Sequence, residues 1–311
     1  MTNRLIRSLR GALAAALTAG FAFSASMAKA EGPMTPLAGS VQVTPAIWTI
    51  AKPNGRSITL FGSVHLLPGD KDWRTPALQE AFEGAEVIVL ETDVAAAGGP
   101  EMQAYVQQVG INAPGTTLRS QLDATTLEHY RTAMGALGLP LEALDPLRPW
   151  LASLTMTVVY AQKQGFDPNS GVDAQIAAAG KMAGKTFDYF ETPQEQIDFF
   201  AKMPEPQQLK LLMITARDLT ADPEQLAKLV AAWEKGDVAQ LDTLMNDAMA
   251  EVPEVDKMLL TDRNARWVET IAGRYMADEN DYLIVVGAGH LAGEGSVPEM
   301  LRAKGITVSG P

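Results

Sequence analysis

Leu60-Phe61-Gly62-Ser63-Val64-His65-Leu66 and Val285-Val286-Gly287-Ala288-Gly289-His290-Leu291 write one phrase twice, more than two hundred residues apart. Each copy runs through two apolar residues, Gly, two spacers, His and Leu. The apolar run suits a strand buried on both faces, as in the parallel sheets of α/β proteins. Glycine then lets the backbone leave the strand through conformations closed to other residues. The histidine falls just past the strand's carboxyl end, where open α/β sheets gather their ligands. Imidazole binds metals and moves protons near neutral pH. The chain has three histidines, and two of them sit in these copies. His65 and His290 are therefore the first candidates for chemistry.

Outward from the first copy, Ile47–Ala51 and Ser57–Phe61 flank Lys52-Pro53-Asn54-Gly55-Arg56, and Asn-Gly between two β-runs predicts a hairpin. Glu86-Val87-Ile88-Val89-Leu90-Glu91 reads as the next buried strand and ends in a carboxylate. Residues 118–276 are mostly helical in pattern. Thr192-Pro193-Gln194-Glu195 is a capping box with Pro at the first helical position, and Asp123 and Gly138 bracket another helix. One strand interrupts this region, Thr186–Phe190, closing on Glu191 in Phe-Glu-Thr as Leu90-Glu91-Thr92 closes the earlier one. A helix over Thr261–Met276, a strand over Tyr282–Val286, a helix over Val297–Ala303 and a terminal strand over Ile306–Val308 complete the pattern. The fold class is α/β: a central mixed sheet formed by the N- and C-terminal parts, with a large, mostly helical insertion (118–276) inside a single domain (31–311).

Residues 1–30 read as a secretory signal peptide. Arg4, Arg7 and Arg10 precede an apolar run from Gly11 to about Phe23, and Ala28-Lys29-Ala30 supplies a small-x-small cleavage site. The run is short for a membrane span. The expected location is the bacterial periplasm or beyond, with no membrane anchor left after cleavage. Taking the signal's four basic residues from the 25 in the chain leaves 21 against 37 acidic, a formal charge of −16 for residues 31–311. That balance argues against nucleic acid and anionic membranes as partners. The chain has no cysteine, which excludes disulfides, thiolate metal sites and cysteine nucleophiles. Any metal must be held by His, Asp, Glu or water, which favours Zn, Mn, Fe or Co.

Glu91 follows the strand next to the first motif, so His65, Glu91 and His290 can face one crevice, and two His with one carboxylate is a familiar metal-ligand set. Glu191 stands at an equivalent strand end, where it can also serve the helix start at Thr192. Asp173, in Gly171-Val172-Asp173, is a helix-start acid. Arg263 and Asn264 open a helix whose core side carries Trp267 and Ile271; spacing alone does not single them out. His129 lies in a polar helix and is expected at the surface. Ser63, two residues from His65, lacks the context of a nucleophile–base pair. Met203, Met213, Met245, Met249 and Met258 fall on apolar helix faces and read as packing. No His-Glu-x-x-His helix, Gly-x-Ser-x-Gly elbow or phosphate-binding Gly-Lys-Ser/Thr occurs.

In this order, Leu-Phe-Gly-Ser-Val-His (60–65), Val-Leu-Glu-Thr (89–92), Arg-Pro-Trp (148–150), Gly-Val-Asp (171–173), Phe-Glu-Thr-Pro-x-x-Gln (190–196), Trp-x-x-Gly-Asp (233–237), Arg-Asn (263–264) and Val-Gly-x-Gly-His-Leu (286–291) resemble the TraB/PrgY/GumN group. That group includes the Tiki metalloproteases and is similar in sheet architecture to erythromycin-esterase and ChaN-like proteins. The resemblance implies a paired Gly-x-x-His active site with supporting acid and Arg residues. It carries His65, Glu91 and His290 as the central set and raises Arg263 and Asn264 as supporting groups. Tiki relatives imply Mn- or Co-dependent peptide cleavage; unlike them, this chain shows no C-terminal membrane helix.

The expected function is thus an exported metal-dependent hydrolase acting on a peptide or protein. A divalent Mn, Co or Zn ion would rest on His65, Glu91 and His290, with Glu191, Arg263 and Asn264 as catalytic support and Glu191 or Asp173 accepting the water's proton. The alternative is a periplasmic binding protein that sequesters a peptide, iron or haem without turnover. For the export signal, N-terminal sequencing of the secreted protein is expected to begin at Glu31; a secreted form that still carries Arg4 would contradict it.

Overall fold

A computed structural model describes residues 43–69, 71–249 and 251–311, without the side chains of 168 and 246–249. The export signal read at residues 1–30 lies outside the described residues, and so does the side chain of Met249. Five strands form the main sheet: β1 (Ile47–Ala51), β2 (Ser57–Ser63), β3 (Val87–Leu90), β4 (Thr186–Tyr189) and β5 (Tyr282–Gly287). Their order is β1-β2-β5-β3-β4. β1 is antiparallel to β2, as the Asn-Gly turn predicts, while β2, β5, β3 and β4 run parallel. The last strand in the chain therefore lies at the centre of the sheet, between β2 and β3.

Alternation along the strands sorts side chains onto two cores. Phe61, Leu283, Val285, Ile88 and Leu90 face one layer. It is built by helices that include α1 (Pro76–Gly84), α2 (Pro149–Lys163), α3 (Val172–Met182), α5 (Glu205–Ala221) and α6 (Gln225–Glu234), with α4 (Pro193–Ala201) beside it. Ile58, Leu60, Val87, Val89, Ile284 and Val286 face the other, where Trp267 and Val268 of α7 (Asp262–Thr270) and Ile271 just after it pack beside Val297 and Leu301 of α8 (Val297–Ala303). Burying each such side chain contributes about 1.5–3 kcal/mol. β5 is buried along its whole length, which accounts for the continuous apolar run of the second motif.

Local chemistry fixes the helix ends near the sheet. The Thr192 hydroxyl accepts from the Glu195 amide and the Glu195 carboxylate accepts from the Thr192 amide, so α4 starts immediately after Glu191. α7 continues at each end into a π-type turn, Lys257–Thr261 and Ile271–Tyr275, so the helix expected over Thr261–Met276 begins earlier than its pattern suggested. π-type turns recur at functional sites, and here one of them presents the Leu259 carbonyl to Arg263.

The 118–276 insertion is mostly helical, and the strand expected inside it joins the sheet as β4, the far edge strand. Two expectations are revised. Ile306–Val308 forms no strand. Only Ser309 bridges Thr49, because Arg302 binds the Val308 and Gly310 carbonyls and Gly310 turns away at φ 121°. His129 is half-buried rather than at the surface. Met203 and Met245 are buried, as packing residues should be.

Candidate active site

Each of the four parallel strands delivers a polar side chain just past its carboxyl end. His65 follows β2, Glu91 follows β3, Glu191 follows β4, and His290 lies in the 3-10 turn Ala288–Leu291 after β5. The structure brings Glu91, Glu191, Arg263, Asn264 and His290 together in one buried cluster.

Arg263 is its centre, with 1% of its surface exposed. A guanidinium carries five N–H groups, and all five have acceptors. Nε donates to Glu191 (2.8 Å to Oε1), Nη2 to Glu91 Oε2 (2.6 Å) and Glu191 Oε2 (2.7 Å), and Nη1 to the Leu259 carbonyl (3.0 Å) and His290 Nε2 (3.1 Å). The Trp267 ring stacks 4.8 Å from the guanidinium carbon. Burial alone would lower the arginine's pKa, but the Glu91 and Glu191 carboxylates override it and hold the charge in place.

The carboxylates are anchored from other sides. Glu91 Oε1 accepts the Gly287 amide (2.7 Å), so the glycine of the second motif ties β5 to the cluster through its backbone. Glu191 also accepts from Trp267 Nε1 and Arg266, and Gln196 Nε2 donates to both carboxylates (3.2 and 3.3 Å). Sequence reasoning gave Gln196 and Trp267 no polar role. Their signals were the Gln at the end of Phe-Glu-Thr-Pro-x-x-Gln and a Trp one helical turn past Arg263.

His290 is fully buried. Its Nδ1–H donates to Asn264 Oδ1 (2.5 Å), whose Nδ2 in turn donates to the Gly295 carbonyl, so Nε2 is left to accept from Arg263. That network assigns the tautomer. Burial first, then the Arg263 charge and that of His65, push its pKa well below the ordinary histidine value.

His65 is placed differently. Its Nδ1 bonds Asp173 Oδ1 at 2.9 Å on the first turn of α3, and its side chain keeps 10% exposure where His290 keeps none. The Val172 amide donates to the Val64 carbonyl (3.0 Å), and a Cβ on Gly171 would stand 2.6 Å from the His65 carbonyl oxygen. α3 thus docks against the end of β2 only because residue 171 is glycine. Asp173, read as a helix-start acid, stands on the first turn of α3 and orients His65. The two histidines are held by helices on opposite faces of the sheet, close enough that the charge on one acts on the other.

These residues do not fit the expected divalent ion as they stand. Two of the three ligands expected for it, Glu91 and His290, spend their donor atoms on Arg263, a cation already seated between them, and the third, His65, is turned to Asp173. Among the described residues no three His, Asp or Glu side chains are grouped to hold a metal.

Four parallel strands that end in His65, Glu91, Glu191 and His290, the last three around a buried arginine, define an α/β protein with a paired Gly-x-x-His site. The chain belongs to the TraB/PrgY/gumN family, which it matches over residues 46–310. It is similar to an uncharacterized protein, YbaP, of Escherichia coli (strain K12), at 25% identity over 271 residues, covering 86% of this chain and 95% of that protein. The YbaP of Shigella flexneri matches to the same extent.

Two outcomes follow from the buried charges. Arg263→Met leaves two carboxylates without their cation and is expected to destabilise the fold by about 3–5 kcal/mol, read as a loss of urea unfolding free energy. Adding Glu91→Gln and Glu191→Gln to that variant should recover much of the loss; a single variant as stable as wild type would contradict the role given to Arg263. His290 refuses a proton in the folded state that it accepts when unfolded. Its contribution is complete above an unfolded pKa of about 6.5 and is lost as pH falls below it, by up to about 1.4 kcal/mol per pH unit. The stability difference between wild type and His290→Gln should therefore narrow from pH 7.5 to pH 5. A constant difference would show that His290 is not held neutral.

Proposed function

We propose that this chain is an exported hydrolase of peptides, with His65 as general base. The observation that carries this reading is the His65 Nδ1–Asp173 Oδ1 bond of 2.9 Å at the carboxyl edge of the sheet. An ionised carboxylate only accepts, so the bond keeps the proton on Nδ1 and leaves Nε2 as the basic nitrogen, the same orienting role that an aspartate plays in hydrolytic triads. Ser63 Oγ has no hydrogen-bond partner among the described residues, so it is not engaged with His65 as a nucleophile would be; water is the nucleophile in this reading. The Arg263 cluster is the footing on which β3, β4 and β5 present their ends, beside that of β2. His290, sealed and neutral, belongs to that footing and not to proton transfer. The Mn, Co or Zn ion implied by the resemblance to Tiki proteases would require Arg263 to give up its partners, so no step is routed through it.

The test is incubation of the purified protein with a mixed peptide library, read by mass spectrometry, with chelator and with added Mn, Co or Zn. Cleavage that persists in chelator and falls by about 10²–10⁴-fold in His65→Asn supports the general-base reading. Cleavage that appears only with added metal would restore the metal-dependent form. Silence under all conditions, with tight capture of peptide, iron or haem, would mark a binding protein.

A further inference from the structure

Two buried hydroxyls at the same sheet edge have no place in the ionic cluster. Ser63 ends β2 and is 2% exposed; Thr92 lies two residues past the end of β3 and is 3% exposed. Neither Ser63 Oγ nor Thr92 Oγ1 has a hydrogen-bond partner among the described residues. A buried hydroxyl left without a partner costs about 1–3 kcal/mol, so two of them beside one site call for an explanation.

Their positions are related. Ser63 pairs with Gly287 across the β2–β5 ladder, and Leu90 pairs with Val285 across the β3–β5 ladder. The ladder ends at that pair, and Thr92 follows directly on Glu91, whose carboxylate accepts the Gly287 amide, so Thr92 stands beside Gly287 on the side away from β2. Phe61, Val285 and Leu90, each two residues earlier, pack in one core layer, so Ser63 and Thr92 belong to the same face, that of α3 and its Asp173. Between them Gly287 has no side chain. Strands two places apart stand about 9.6 Å from each other. Two hydroxyl-to-oxygen hydrogen bonds span about 5.5 Å, so hydroxyls leaning in from both sides can close on a single oxygen atom above Gly287.

We propose that Ser63 and Thr92 form an oxygen-binding notch over Gly287 that holds the carbonyl oxygen of the substrate, a catalytic pair beside His65. This rests on the hydrolase reading. The water oxygen bonds to the carbonyl carbon while His65 Nε2 takes one water proton. The C=O π pair moves onto the oxygen, and the two hydroxyls donate to the resulting oxyanion. On collapse the pair returns, the C–N bond breaks, and the proton on His65 goes to the leaving amine, giving a carboxylic acid and an amine. Hydroxyl donors aimed at the oxyanion are stronger there than at the neutral carbonyl, so they act on turnover more than on binding.

The experiment compares Ser63→Ala, Thr92→Val, Thr92→Ser and His65→Asn on a peptide that the library screen shows to be cleaved, with melting temperatures as the folding control. Ser63→Ala and Thr92→Val are expected to lower kcat by about 10²-fold each with little change in KM, whereas Thr92→Ser, which keeps the hydroxyl, stays within a few-fold of wild type. Wild-type kcat in both hydroxyl-deleted proteins, with His65→Asn inactive, overturns the notch and leaves the hydrolase reading intact. If no peptide is cleaved at all, the hydrolase reading fails by itself. The notch is then judged by a high-resolution crystal structure: an ordered oxygen atom within about 3.2 Å of both hydroxyls, absent in Ser63→Ala, supports it, and hydroxyls turned onto backbone carbonyls overturn it.

Discussion

The guanidinium of Arg263 is the constraint on which the carboxyl edge of the sheet depends. It is almost fully buried, and its five N–H groups find acceptors in four parts of the chain: the end of β3, the end of β4 (twice), the turn after β5 and the turn of helix that precedes Arg263 itself. Replacing buried ion pairs by apolar groups is often neutral, while breaking one is expensive. Such a cluster is therefore better understood as fixing geometry than as adding stability. Its charges fix the ends of β3, β4 and β5 relative to one another, and loops are otherwise the least determined parts of an α/β fold.

The two Gly-x-x-His copies are alike in sequence and unlike in position. His290 sits on the Trp267 ring (4.3 Å between centroids), fully buried and bonded at both nitrogens. His65 is tied at one nitrogen to a carboxylate on the opposite face and retains some exposure. A repeated phrase suggests a shared ligand, but the helix that packs over each strand end decides what the histidine does. One becomes part of the Arg263 cluster and the other is held by Asp173 on the opposite face.

Much of this could be read before any coordinates. The buried strands announced themselves as β-branched runs ending in Gly or Glu, the β1–β2 hairpin through Asn54-Gly55, and α4 through its capping box. His65, Glu91, Glu191 and His290 were legible because a polar residue closing an apolar strand is an exception to its surroundings. Arg263 was not legible from its own helix. Arg, Asn and Trp in an amphipathic segment look alike whether they face water or a buried cluster, and only the resemblance drew attention to the pair. Asp173 was legible as a helix-start acid, but its bond to His65 was not, because the two residues lie 108 positions apart. The terminal strand failed because three β-formers cannot pair where the neighbouring carbonyls are already bound by Arg302.

The central place of β5 bears on how the molecule is made. The strands on either side of it, β2 and β3, have no pairing with each other and acquire their shared neighbour only when residues near 282–287 arrive. The bond from the Gly287 amide to Glu91 closes 196 residues of chain. Contacts of such separation form slowly, and two parallel strand edges stay open until they do. A chain of this topology has its unpaired edges covered last and by its own C-terminal segment. Until then those edges are open to pairing with other chains, which makes the interval before the C-terminal segment arrives, more than final stability, the vulnerable stage of its folding.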